Sequence, residues 1–196
     1  MKIKLKAFVI VGIMGVVFYG LFKDTFYQYK MMNYYKITRE HFEEIDKKDK
    51  VTLNSTGAVL KNIAVYDNEN KKRLLNQLLN RKGKIIVNFS NSKCSSCIED
   101  VLYFINKYKK EINLENVILL GNFQDQRDYI MFKHENKINL KMYNIYNQKL
   151  ELEVETLNYP YIVITDSVLK AKSTFIPAKE LPKRTDDYFK MIKNKL

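Results

Sequence analysis

The sequence predicts an α/β layered domain behind one N-terminal membrane-spanning helix. Three observations carry this. An uncharged run of sixteen residues, Ala7 to Phe22, follows a lysine-rich head. Two short apolar segments, "KIIVNF" and "NVILLGNF", flank an amphipathic one, "CIEDVLYFINKYKKE". Further on, "PYIVITD" and "SVLKAKSTFI" read as two strands joined by an Asp-Ser turn.

The N-terminus comes first. Residues 1–6 form a basic tail whose three lysines hold it in the cytoplasm and place the remainder outside. The apolar run is short against the roughly 20 residues a spanning helix needs, but Ile3 and Leu5 lengthen it if Lys4 and Lys6 snorkel. It ends Tyr19-Gly20-Leu21-Phe22, bulky where a signal peptidase requires small side chains. Residues 7–22 therefore read as an uncleaved signal anchor. No cysteine follows closely enough for a lipid attachment.

Residues 23–52 mix aromatics with charges and form a membrane-proximal stalk or linker, leaving 53–196 as the folded domain. With 46% hydrophobic and 29% charged residues, the chain can build a core, which excludes global disorder. Its 34 basic against 22 acidic residues give a net charge of +12. The lysines are spread along the whole chain with no arginine-rich stripe, so they read as a solvated surface and not as a nucleic-acid site.

Within the domain, "VTLNSTGAVLKNIAVYDNENKK" predicts a hairpin-like approach. "KRLLNQLLNRKGK" predicts a short helix carrying Leu74, Leu75, Leu78 and Leu79 and stopping at Gly83. "KIIVNF" is a buried strand. The amphipathic helix after it places Ile98, Val101, Leu102, Ile105 and Tyr108 on one face. "NVILLGNF" is a second strand and "QDQRDYIMFKHENK" another helix. Residues 139–159 show strand-like alternation in their middle. The strand pair follows, and then a closing helix, "TDDYFKMIKNKL", with Thr185 as its cap.

Both cysteines of the chain, Cys94 and Cys97, stand three apart between the first strand and the amphipathic helix. Free N–H groups and the positive dipole at a helix start stabilise a thiolate at the first cysteine, and Lys93 adds a cation. Cys97, one turn on, is placed to close a small disulfide. That is the arrangement a dithiol exchanger needs. Two other readings compete. A zinc site wants four ligands, and His41 and His134 are far apart in sequence, which leaves at most a copper ion on the dithiol with His134. A purely structural disulfide across four residues would stabilise little.

At these residues the chain resembles the thioredoxin-like superfamily, in particular its membrane-anchored, TlpA-like thiol-disulfide oxidoreductases. "GKIIVNFSNSKCSSC" is similar to that branch's strand leading into its CxxC, and "LNYPYIVITD" is similar to its cis-proline strand. The likeness runs from about Leu53 to the C-terminus, by element order alone over residues 124–155. It implies a thioredoxin-like fold, a central mixed β-sheet flanked by helices. It also implies Cys94 as nucleophile, Cys97 as resolving thiol, and a cis bond between Tyr159 and Pro160 facing the dithiol in the substrate groove. The partners implied are protein thiols and disulfides, a membrane electron donor or acceptor, and the bilayer around 7–22. No cofactor or resident metal is implied. The location implied is a bacterial inner membrane, with the domain in the periplasm.

Three residues depart from the pattern. Lys93 replaces the family's Trp, Ser95-Ser96 form the dipeptide between the cysteines, and Asn88 stands where thioredoxins carry a buried acid six residues before the nucleophile. Asn is no general base. These departures keep a second function in view, a non-catalytic thioredoxin-fold binding or assembly module. The peroxidase motif of the superfamily wants Thr or Ser three before the cysteine and Pro seven before, and this chain has Asn91 and Val87.

Overall fold

The computed structural model describes residues 2–79, 83–90 and 95–193; for 2–18, 20, 21, 24 and 95–97 it describes the backbone alone. The chain forms two compact units, Met1–Lys47 and Lys48–Leu196.

The first unit is helical, being most of α1 (Lys2–Ser55). Phe26, Tyr27, Tyr29, Tyr34 and Tyr35 are all exposed on it. Arg39 donates to Glu43 one turn on at 2.8 Å, an i,i+4 pair that supports an isolated helix. Among the described residues no helix is long and apolar enough to cross a membrane. The side chains of the apolar run 7–22, apart from Tyr19 and Phe22, lie outside the described residues.

The second unit is built on one sheet of seven strands. Its strands are β1 (Ala64–Tyr66), β2 (Lys72–Leu74), β3 (Lys84–Ser90), β4 (Val117–Asn122), β5 (Lys141–Asn144), β6 (Tyr161–Thr165) and β7 (Ala171–Phe175). Their order across the sheet is β2-β1-β5-β4-β3-β6-β7. Strands β3, β4 and β5 run parallel, with α2 (Ser95–Lys107) joining β3 to β4 and α3 (Gln126–Glu135) joining β4 to β5. Strands β6 and β7 add an antiparallel hairpin beside β3, and α4 (Pro182–Ile192) closes the chain.

Side chains alternate across a strand, so β3 feeds two cores. Ile85, Val87 and Phe89 point to the face covered by α2, α3 and α4, where Phe104, Phe123, Phe132 and Phe189 join them. Rings there stack closely: Phe104 on Phe189 at 5.6 Å, and Phe175 on Tyr188 at 4.2 Å. Ile86 points the other way, toward Ile118, Leu120 and Val163, and the end of α1 covers that face with Val51. Gly83 enters β3 at φ 78°, where a Cβ would lie 1.9 Å from the Thr165 carbonyl oxygen. Only glycine fits this approach.

The structure corrects several expectations. The stretch 51–55 is the last turn of α1 and not part of a hairpin, because Val51 and Ser55 are buried against the sheet's cover. The hairpin itself is β1 with β2. No α-helix forms over 74–79: β2 takes Leu74, a single 3-10 turn covers Leu75–Leu78, and only Leu75 of the four leucines is fully buried. On α2 the expected face holds for Ile98, Val101 and Ile105, all buried, while Leu102 is only partly covered and Phe104 joins the buried set. Thr185 is not the cap of α4. Pro182 sits in the first turn with its φ already helical, so the helix begins three residues earlier and Thr185 is buried inside it.

Candidate functional site

The dithiol falls where β3 gives way to α2. Strand β3 ends at Ser90 and α2 begins at Ser95, so Cys94 directly precedes the first helical residue. Lys93 and Cys94 lie outside the described residues. Ser95, Ser96 and Cys97 are described in backbone alone, as the opening turn of α2.

Asn88 is the first functional candidate with a described side chain. It pairs with Leu120 on β4 and Tyr161 on β6. At 7% exposure it is buried, and its Nδ2 has no hydrogen-bond partner among the described residues. A buried donor left unmade costs about 1–3 kcal/mol. Beside it the buried Tyr161 hydroxyl donates to Glu155 Oε1 at 3.1 Å. Burial first, then the adjacent Glu155 carboxylate, pushes the Tyr161 phenol well above its usual range, so it stays a donor.

Glu155 was not among the sequence candidates. It sits on a 3-10 helix, Glu153–Leu157, whose Val154 is buried. Its carboxylate also accepts from the backbone N–H of Leu150 at 3.0 Å and of Leu152 at 3.3 Å. The last turn of α1 braces this short helix: Ser55 Oγ accepts from Val154 N–H at 2.8 Å, and Asn54 donates to Glu153 at 3.2 Å.

Asn158 ends the 3-10 helix in the left-handed region at φ 54°, a conformation Asn tolerates better than most residues. The chain thereby reverses before Tyr159. The Tyr159–Pro160 bond is trans, since among the described residues no peptide is cis. This corrects the expected cis proline: the reversal is made one residue earlier, by Asn158, and Pro160 takes the ordinary place just ahead of a strand, where no N–H is needed. Tyr159 is 36% exposed, and the Lys48 ammonium, itself 9% exposed, lies 4.2 Å from its ring centroid. This cation–π contact fixes the ring from the α1 side.

Together these residues enclose a hollow of about 70 Å³ at the C-terminal end of β3, lined by Asn88, Ser90, Gln148, Glu155, Tyr159 and Tyr161 among others. The structure thus brings Asn88 and Tyr159 of the sequence candidates to one cavity and adds Glu155 and Tyr161. Neither newcomer had a local signal, since each lies more than fifty residues from the cysteines in sequence. Among the described residues no group of three or more His, Cys, Asp or Glu is arranged to hold a metal. His134 lies in the last turn of α3, beside a separate surface hollow with Asn68, Lys133 and Lys137.

The chain matches no protein-family model, and no curated protein matches it. Solved structures do match. One is the C-terminal domain of a protein provisionally assigned as a thiol-disulfide oxidoreductase from Bacteroides thetaiotaomicron, at 12% identity and TM-score 0.51, covering 70% of this chain and 98% of that one. Another is a protein provisionally assigned as a thiol:disulfide interchange protein DsbE from Chlorobium tepidum, at 10% identity and TM-score 0.51, covering 70% and 96%. A third is the peroxidoxin BcpB from Mycobacterium tuberculosis, at 13% identity and TM-score 0.50, covering 70% and 97%. At such identities the likeness speaks to architecture. The chain has a thioredoxin-like fold, a mixed sheet flanked by helices.

Proposed function

We propose that the protein is a thiol-disulfide oxidoreductase acting on protein thiols and disulfides, held at a bacterial inner membrane by residues 7–22 with its domain on the periplasmic side. One observation carries the reading: the sequence's two cysteines stand as CxxC at the passage from β3 to α2, Cys94 just before the helix and Cys97 in its first turn, in a thioredoxin-like fold.

Cys94 directly precedes the free N–H groups of α2, and Lys93 precedes Cys94. Both favour the thiolate over the thiol and pull its pKa below the free value of about 8.5. The thiolate attacks one sulfur of a substrate disulfide, forming a Cys94–substrate disulfide and releasing the other substrate sulfur as a thiolate. Cys97 then attacks Cys94, which closes the internal disulfide and frees the substrate reduced. Run backwards, the same steps oxidise a substrate dithiol. Tyr159, which lines the hollow, and the adjacent Pro160 would shape the wall along which substrate lies. The membrane anchor rests on the lysine head and the uncharged run, and would bring the dithiol to a membrane electron donor or acceptor.

Insulin reduction by dithiothreitol, with the full chain in detergent micelles, tests the reading. Wild type is expected to accelerate it and Cys94→Ser to lose the acceleration. Equal rates from the two would leave only a binding or assembly module.

A further inference from the structure

The last turn of α3 carries Lys133 and His134, and the chain beyond it folds Lys137 and Ile138 back on the same end. Backbone groups close this helix. The Ile138 N–H donates to the Lys133 carbonyl and the Lys137 N–H to the His134 carbonyl, each at 3.0 Å. Lys137 is left-handed at φ 50°, in a closure that usually places glycine there. The Asn136 side chain donates to the Phe132 carbonyl at 2.9 Å. These carbonyls are therefore satisfied without the basic side chains, although a helix C-terminus favours cations in general.

Lys133 does not turn back on the helix. Its Nζ donates to Asn68 Oδ1 at 3.0 Å, in the turn between β1 and β2, and the same oxygen accepts from the Tyr129 hydroxyl at 2.8 Å. The ammonium is thereby held at the wall of a hollow of about 530 Å³, a volume in the range of small-molecule sites. Its lining holds three basic residues, Lys133, His134 and Lys137, two apolar ones, Ile130 and Ile138, and two asparagines, but no acid. Acids on the neighbouring turn are engaged: Asp67 Oδ1 accepts from the N–H of Glu69 and of Lys71, both at 3.0 Å, and Glu69 pairs with Lys71. Among the described residues none of the three basic side chains makes an ion pair. Burial alone holds the Lys133 ammonium below its usual pKa, as expected of a cation without a counter-charge. One of its three N–H donors is used by Asn68, which leaves two. Ile130, 47% exposed, and the buried Ile138 give the same hollow an apolar floor.

We propose that this hollow binds a small organic acid, its anionic head on Lys133 and Lys137 and its aliphatic tail over Ile130 and Ile138. The hollow shares none of its described lining residues with the one at the end of β3, and the proposal stands whether or not the dithiol is active.

Hexanoate serves as the probe, titrated into the full chain in nonionic detergent micelles and followed by the methyl NMR signals of Ile130 and Ile138. Saturable shifts are expected at both. Acetate lacks the tail and hexanol lacks the charge, so each should bind more weakly by about 10-fold or more. Lys133→Gln should weaken hexanoate by about 10-fold or more, the loss of a hydrogen bond from a charged donor. Lys137→Gly should weaken it too while holding or raising the melting temperature, because glycine suits the left-handed backbone at that position. A purely structural lysine would not separate the two readouts in this way. Lys109→Gln, in the adjoining hollow against α2, should change nothing. The absence of saturable shifts overturns the proposal, and so does acetate binding as tightly as hexanoate. Lys133→Gln and Lys137→Gly chains that both bind hexanoate as wild type does would overturn it equally.

Discussion

Strand β3 turns one row of side chains into aromatic packing and the other into a second apolar core that gives way, at Asn88 and Ser90, to a polar hollow. On the helical side, Ile85, Val87 and Phe89 meet rings from α2, α3 and α4, and the packing there is apolar and continuous. On the far side, Ile86 is apolar but Asn88 is not, and the cover near it is a 3-10 helix, a turn and the end of α1. Long amphipathic helices can bury a whole face. Short irregular segments leave backbone and side-chain groups to be satisfied individually, and that is where Glu155, Tyr161 and Asn88 collect. Both faces bury an apolar core, but the buried polar groups gather at one end of the second face, although the same strands build both.

Three substitutions test this division, from the largest effect to the smallest. Phe189→Ala removes a fully buried ring stacked against Phe104 and Tyr108. It is expected to cost about 3–5 kcal/mol in denaturant unfolding and to leave the pH dependence of disulfide exchange in place. A changed pH profile would show that the helical face reaches into the chemistry. Tyr161→Phe takes only a hydroxyl from the polar side, so its stability cost is expected near 1 kcal/mol. A loss as large as that of Phe189→Ala would mean that the polar side bears structure equally. The smallest effect belongs to the rim of the helical face. Lys107, then Lys190 and the Tyr108 hydroxyl, hold the Asp186 carboxyl well below its usual range. A depressed acid contributes stability that is present above the ordinary carboxylate pKa of about 4 and is lost as pH falls through the folded value. Melting curves should therefore show Asp186→Asn less stable than wild type at pH 7, with the gap closing below about pH 4. A gap that does not vary with pH would remove the ionic account.

The division also explains what could be read from the sequence. Strand β3, α2 and β4 announce themselves because their apolar residues follow the strand and helix periods directly, and the dithiol sits at their junction. Residues 72–79 mislead because four leucines at helical spacing suggest an amphipathic turn, yet pairing of Lys72–Leu74 with β1 outweighs that pattern. The turn of α1 at 51–55 was hidden because its burial comes from the distant 3-10 helix and not from its own periodicity. Thr185 looked like a cap only because Pro182, the stronger start signal, lies three residues upstream. The hollow was half legible. Asn88 stood out as a departure from the resembled family's acid, but Glu155, which lines the same hollow, lies 67 residues on, at a position that only the β3–β6 register brings near.

That register has a bearing on how such a protein can change. Strand β3 is held by six pairs with β4 and five with β6. One residue inserted between 84 and 90 would exchange its two rows, turning Asn88 into the aromatic packing and a phenylalanine into the hollow. Ser90 makes the last of the described pairs, with Asn122. Mutational drift is therefore channelled: the frame resists change by the whole register, while the dipeptide between the cysteines and the residue before them can be exchanged one at a time. A lineage could exchange Lys93, Ser95 and Ser96 without renegotiating the sheet that carries them.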